Sequence, residues 1–175
     1  ATGITDSGVV TVRGTSSYQT TATDADISLG TSTLGDGNGT DTITLNTTGS
    51  DGNATLDNGT TAIVLGTSAA SLATSLGGDL TLTSGATAGI TDSAMVTVGR
   101  NLSATTDANN GVINLDQLAI DLGIHLRTHG SGNATAVNDA GFFFTDLDSE
   151  VGGNLSVTAT TGNISDNHDG SVTVA

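Results

Sequence analysis

The sequence predicts an all-β fold, a right-handed parallel β-helix, on three observations. Apolar residues make up 35% of the chain and fall mostly as Val, Ile and Leu in short alternating runs. Those runs are bounded by Gly, Asn and Asp, while Pro is absent altogether. Short motifs also recur along the 175 residues at long intervals, the mark of stacked-repeat architectures.

The recurrence is direct. Ile4-Thr5-Asp6-Ser7-Gly8-Val9-Val10-Thr11-Val12 aligns without a gap on Ile90-Thr91-Asp92-Ser93-Ala94-Met95-Val96-Thr97-Val98. A third copy, Ile164-Ser165-Asp166 and Val172-Thr173-Val174, carries an insertion around His168. A second motif precedes two of these copies: Gly77-Gly78-Asp79-Leu80-Thr81-Leu82-Thr83 corresponds to Gly152-Gly153-Asn154-Leu155-Ser156-Val157-Thr158. Gly99-Arg100-Asn101-Leu102-Ser103 echoes it. The combined unit recurs about every 75 to 85 residues, with copies near 4–12, 77–98 and 152–174 of what reads as one repetitive domain, 1–175.

Each motif reads as a strand of a few residues with period-two alternation. Strand centres near Leu29, Thr44, Leu65, Leu82, Val98, Asn114 and Phe143 lie roughly sixteen to twenty residues apart, with one longer gap. Coiled into a solenoid, each strand pairs with its equivalent one turn above and below, with Val, Ile and Leu stacked inward and Thr and Ser outward. Gly and Asn supply the left-handed backbone of tight corners. The alternative is a β-sandwich; the absent Trp, the single Tyr and the Pro-free corners count against it. Two stretches fit less well. Ser68–Leu76 has Ala69, Leu72, Ala73 and Leu76 at helical spacing, so a short helix is expected to project there. Leu118, Ile120, Leu122, Ile124 and Leu126 alternate as one long strand, with a helix over Leu115–Leu122 as the other option. The interval Gln117–Glu150 departs from the repeat and reads as an insertion.

Charge excludes several functions. Arg13, Arg100 and Arg127 are the only basic residues beside three His, and the net charge is -15. Nucleic-acid binding needs Lys and Arg to displace counterions, and anionic lipid surfaces need the same. Disorder is the other reading of a polar, Gly-rich acidic chain, but the clustered aliphatics and missing Pro oppose it. With no Cys there is no disulfide or thiolate framework. No stretch has the apolar length of a membrane span. The chain opens in mid-pattern on Ala1-Thr2-Gly3, as a mature piece or excised window would, with export signals elsewhere.

The stretches Gly152–Asp166 and Ile4–Val12 resemble repeats of filamentous-haemagglutinin-like adhesins and related giant bacterial surface proteins, over about half of the chain. That resemblance implies a right-handed parallel β-helix forming the shaft of a long secreted fibre, active in adhesion or matrix. It implies no catalytic residue.

Candidate chemistry is sparse. Asp36-Gly37-Asn38-Gly39-Thr40-Asp41-Thr42-Ile43-Thr44 matches a calcium-binding nonapeptide except that Asp36 replaces its first Gly. Asp36, Asn38 and Asp41 would offer hard oxygen ligands for Ca²⁺; the alternative is a polar corner feeding a strand. The acidic pairs Asp24/Asp26 and Asp51/Asp57, and the cluster Asp146/Asp148/Glu150, read as solvated turn residues. His125 and His129 would share a face on a helix, but the flanking pattern is a strand. Phe142, Phe143 and Phe144 hold all the Phe; alternation sends one or two inward, and an exposed Phe143 would be an interaction hot spot. Asn-x-Ser/Thr sequons at Asn38, Asn46, Asn53, Asn58, Asn101, Asn133, Asn154 and Asn163 mark surface positions only in a glycosylating host. A polysaccharide hydrolase or lyase would need Asp146, Asp148 or Glu150 in a groove with Arg127. Thr81-Leu82-Thr83 is too isolated for ice binding.

The expected function is therefore a non-enzymatic structural and adhesive segment of an extracellular bacterial surface or matrix fibre. The alternative is a self-assembling subunit of a filament or surface layer, Ca²⁺-stabilised. Its partners would be neighbouring repeats or other copies, and host or matrix glycans or proteins.

Overall fold

Alternation of aliphatic and hydroxyl residues yields short strands. The computed structural model describes residues 2–66, 73–166 and 169–175, with backbone alone at 108 and 109, and arranges those strands in two parallel sheets. The first sheet contains β1 (Ile4–Thr5), β2 (Val10–Val12), β4 (Ile27–Leu34), β6 (Ala54–Asp57), β9 (Leu80–Ser84) and β12 (Leu102–Asn109). It continues with β14 (Gly123–His129), β16 (Phe142–Phe144), β17 (Ser149–Val151), β19 (Ile164–Asp166) and β20 (Val172–Val174). The second contains β3 (Ser16–Thr23), β5 (Ile43–Thr48), β7 (Ile63–Leu65), β8 (Thr74–Leu76) and β10 (Ile90–Asp92). It is completed by β11 (Val96–Val98), β13 (Ile113–Ile120), β15 (Ala134–Asn138) and β18 (Leu155–Ala159). No helix occurs among the described residues. The result is a β-solenoid of about 7 turns.

Register puts like on like. Ile4, Ile27, Ala54, Leu80, Leu102 and Ile124 form one inward column, and Leu29, Leu56, Leu82, Ala104 and Leu126 form the next. The second sheet supplies Ile63, Ile90, Ile113, Ala134 and Leu155. All of these are buried except Ile4 and Leu155, which sit in the end turns. A column loses twice when one member shrinks, because the residues above and below both lose contact. Leu82→Ala, at a fully buried position, is expected to cost about 2–5 kcal/mol in urea unfolding.

Several expectations need correction. Partners in register lie 20 to 29 residues apart, as in Leu118↔Asn138 and Asn46↔Ser75, so the turn is longer than the spacing of strand centres. That spacing mixed the two sheets, because each turn visits both. The apolar run Leu118–Leu126 is neither one strand nor a helix: bends at Asp121 and Leu122 send Leu118 and Ile120 into β13, Ile124 and Leu126 into β14. Of the expected helix, Thr74–Leu76 is strand, and Ser68–Leu72 lies outside the described residues. The interval Gln117–Glu150 is built into the stack through β13 to β17. The gapless copies at Ile4 and Ile90 occupy different sheets. Their shared motif encodes a local shape, two short strands around a bend, laid on one continuous strand, β4 or β13. Asp6 and Asp92 make that shape: Gly30 N–H donates to Asp6, and Asp116 and Gln117 N–H donate to Asp92.

Polar residues also turn inward, against the expectation that Thr and Ser face out. Thr20, Thr106 and Thr128 are buried and donate to the carbonyls of Ala25, Gly111 and Gly132, closing corners. Asn58 and Asn138 are wholly buried, which removes Asn58 from the surface sequons. At outer corners, Asp and Asn continue the backbone ladder. Asn53 N–H and Nδ2 donate to Asp26 Oδ1, Asp79 N–H donates to Asn53 Oδ1, and Asn101 N–H and Nδ2 donate to Asp79 Oδ1.

Candidate functional site

On the outer face of the first sheet, cross-turn register aligns Thr55, Thr81, Ser103 and His125. A groove of about 330 Å³ opens over Thr81, Ser103 and His125 of this row. Asp79 and Asn101 line its corner side, and Thr145, Asp146 and Leu147, between β16 and β17, form its other wall. Leu147 is 57% exposed, an apolar rim on a polar face.

His125 organises this face. Its Nε2 lies 3.0 Å from the Asp148 carbonyl, which can only accept, so Nε2 carries the proton. The bare Nδ1 then accepts the Ser103 hydroxyl at 2.9 Å. The imidazole pins the Thr145–Asp148 segment to the sheet. Burial holds the His125 pKa below the ordinary histidine value; the bond to the Asp148 carbonyl opposes the shift and the Arg127 charge adds to it. The unfolded chain therefore takes up the proton first. Stability present above the ordinary histidine pKa is lost as pH falls through it toward the folded value. Between about pH 7 and about pH 5, Tm is expected to fall less in His125→Gln than in the parent chain.

The acidic cluster disperses. Asp146 lines the groove; Asp148 accepts Ser171 N–H and Oγ–H, bonds that hold its carboxyl below the usual range; Glu150 faces Arg127 at 3.6 Å. Arg127 is not among the groove's lining residues, so the groove does not join it to the acidic cluster. His125 and His129 share the outward face of β14, but strand rise separates them by about 13 Å, too far for one ion. His129 Nδ1 instead donates to Thr106 O at 2.7 Å.

Asp36, Asn38 and Asp41 do meet in one loop between β4 and β5. Asn38 N–H and Nδ2 donate to the two Asp36 oxygens, which lowers the Asp36 pKa, and Asp36 N–H donates to Asp41 Oδ2. Asp36 also lines a depression shared with Arg13. A cation there would have to displace the Asn38 amide. Among the described residues no group of three His, Cys, Asp or Glu is placed to hold a metal. Phe142 and Phe144 point inward and meet edge to face, 6.1 Å between ring centres. Phe143 points outward, half-buried, over Gly123, where a Cβ would lie 2.6 Å from its ring. Sequence reasoning missed the Ser103–His125 pair because its members are 22 residues apart and adjoin only through the turn length.

Fold and site define a parallel β-solenoid with a small groove on the outer face of its first sheet. Compared with known proteins, the chain matches no family model, no curated protein and no solved structure. Its stacked turns agree with the β-helical repeats its motifs resemble.

Proposed function

We propose that this chain is a non-enzymatic shaft segment of a large secreted bacterial surface or matrix fibre of the filamentous-haemagglutinin-like kind. The supporting observation is the stack of inward, mostly aliphatic columns through the turns, under a Thr-, Ser- and Asp-rich exterior. Such a core extends by adding turns and needs no change of fold. The groove beside His125, with its hydroxyls, carboxylates and the Leu147 rim, is where an adhesive contact to a glycan or protein would be made. Antibodies against the chain are expected to label intact producing cells or their matrix, and surface protease to remove the label. Labelling only after permeabilisation would overturn this function. Calcium at the Asp36–Asp41 loop belongs to the same proposal: Tm then falls on chelation, and an unchanged Tm removes the ion.

A further inference from the structure

In an Asn-Gly pair the side-chain amide is open to attack by the following backbone nitrogen, because Gly has no Cβ to obstruct it. The sequence holds three such pairs: Asn38-Gly39, Asn58-Gly59 and Asn110-Gly111. The fold ties two of them down. Asn58 is wholly buried, its amide is bonded to Leu34 and Ala62, and Gly59 N–H already donates to Asp57 Oδ1 at 2.9 Å. Asn110 is fixed to the neighbouring turn: its N–H donates to the His129 carbonyl, and its Oδ1 accepts the N–H and the hydroxyl of Ser131, each at 2.8 Å.

Asn38 is held only by its own loop. It is exposed between β4 and β5, and its N–H and Nδ2 donate to Asp36, two residues back, at 2.9 and 2.6 Å. Those bonds move with the loop and leave the Gly39 nitrogen uncommitted, since nothing among the described residues accepts its N–H. Gly37 and Gly39 flank Asn38 with left-handed backbone, φ 82° and 72°. Apart from chain neighbours, no atom lies within 4 Å of the Cβ position of either, so the space a ring needs is open.

We propose that Asn38 is a site of spontaneous deamidation in the folded chain, with water as the only co-reactant. Gly39 N loses its proton and bonds to Asn38 Cγ; the Cγ–Nδ2 bond breaks, and Nδ2 leaves with that proton as ammonia. Water then opens the cyclic imide on one side of its nitrogen or the other. Opening at Cγ leaves aspartate at position 38. Opening at the backbone carbonyl leaves isoaspartate, with the chain running through the former side chain. Nothing is oxidised or reduced. In either product the Nδ2 that donates to Asp36 is gone and a carboxylate has entered the loop, where it repels the Asp36 charge. The loop between β4 and β5 thus loses its closure on Asp36, while stacking preserves Asn58 and Asn110 as amides.

Incubation in mildly alkaline buffer made with heavy-oxygen water tests it, on the folded chain and on the same chain unfolded in urea. Peptide mass spectrometry locates the incorporated oxygen. An isoaspartate-specific methyltransferase reports the ring, since direct hydrolysis of the amide gives aspartate alone. The unfolded chain should take label at all three asparagines. The folded chain should take it at position 38, with isoaspartate. At position 58 it should lag the unfolded chain by about a thousandfold or more, because only the unfolded fraction reacts there. Position 110 should lag position 38 as well. The proposal is overturned if the folded chain takes no label at position 38 while the unfolded chain does, or takes it there without isoaspartate. Label at position 58 or 110 as fast as at 38 overturns it too. Antibody labelling of cells does not depend on this conversion, so the shaft function and the modification fail separately.

Discussion

Replacing Asn58 by Leu is expected to destabilise the chain by about 3 kcal/mol or more, although Leu nearly preserves the volume. Asn58 is wholly buried and acts as a detached peptide group. β4 runs on to Leu34, but β6 ends at Asp57, which leaves the last backbone groups of β4 without a strand above them. Asn58 Oδ1 accepts Leu34 N–H at 2.7 Å, and its Nδ2 donates to the carbonyls of Leu34 at 3.0 Å and Ala62 at 2.9 Å. Leu would strand three buried backbone groups at once, each worth about 1–3 kcal/mol when left unpaired. Asn138 repeats the device in the second sheet, with Ile120 N–H and the carbonyls of Ile120 and Ala140. Asn138→Leu should therefore show a comparable loss. Asn163→Ala, at an exposed position, should stay within about 0.5 kcal/mol. Urea midpoints at unchanged m-value give the comparison.

Gly77→Ala is the second large effect, expected at about 3 kcal/mol, against no loss for Gly8→Ala. At Gly77 a Cβ would lie 1.6 Å from the Gly49 carbonyl oxygen, and at Gly8 it would meet nothing within 4 Å. Backbone must move to admit that methyl group, and moving it separates two turns at the corner that starts β9. The same contact recurs up the stack, with Gly99 on the Gly77 carbonyl and Gly152 on the Gly130 carbonyl. Thermal unfolding of the two variants side by side distinguishes a close-approach glycine from one that only occupies a bend.

Those two positions show what was legible in the sequence. The Gly-Gly pairs and the recurring Ile-Thr-Asp motif were visible, and with them the solenoid. Their reasons were not. Corner glycines suggest left-handed backbone, which holds at Gly49 and Gly130. Gly77 and Gly152 are small because another turn's carbonyl lies against them, a fact set by the turn length. Asn58 looks like any polar corner residue, since its partner Leu34 is 24 residues away. The run Leu118–Leu126 misled because alternation continues across the bend where the chain changes sheets. Asp36, Asn38 and Asp41 were found together because their proximity is local. Ser103 and His125 share a site only through stacking, and no local pattern encodes that.

The parallel stack itself is tested most directly by cross-linking, since the chain contains no Cys. Thr55 and Thr81 are exposed neighbours in register on adjacent turns, whereas Thr97 lies in the other sheet. Neighbouring strands bring paired Cα atoms about 4.8 Å apart, within disulfide range. The Thr55→Cys/Thr81→Cys chain should oxidise to an intramolecular disulfide with its Tm kept or raised. The Thr55→Cys/Thr97→Cys chain should remain reduced under the same conditions. The reverse outcome, a bridge to position 97 and none to 81, would contradict the stacked parallel fold.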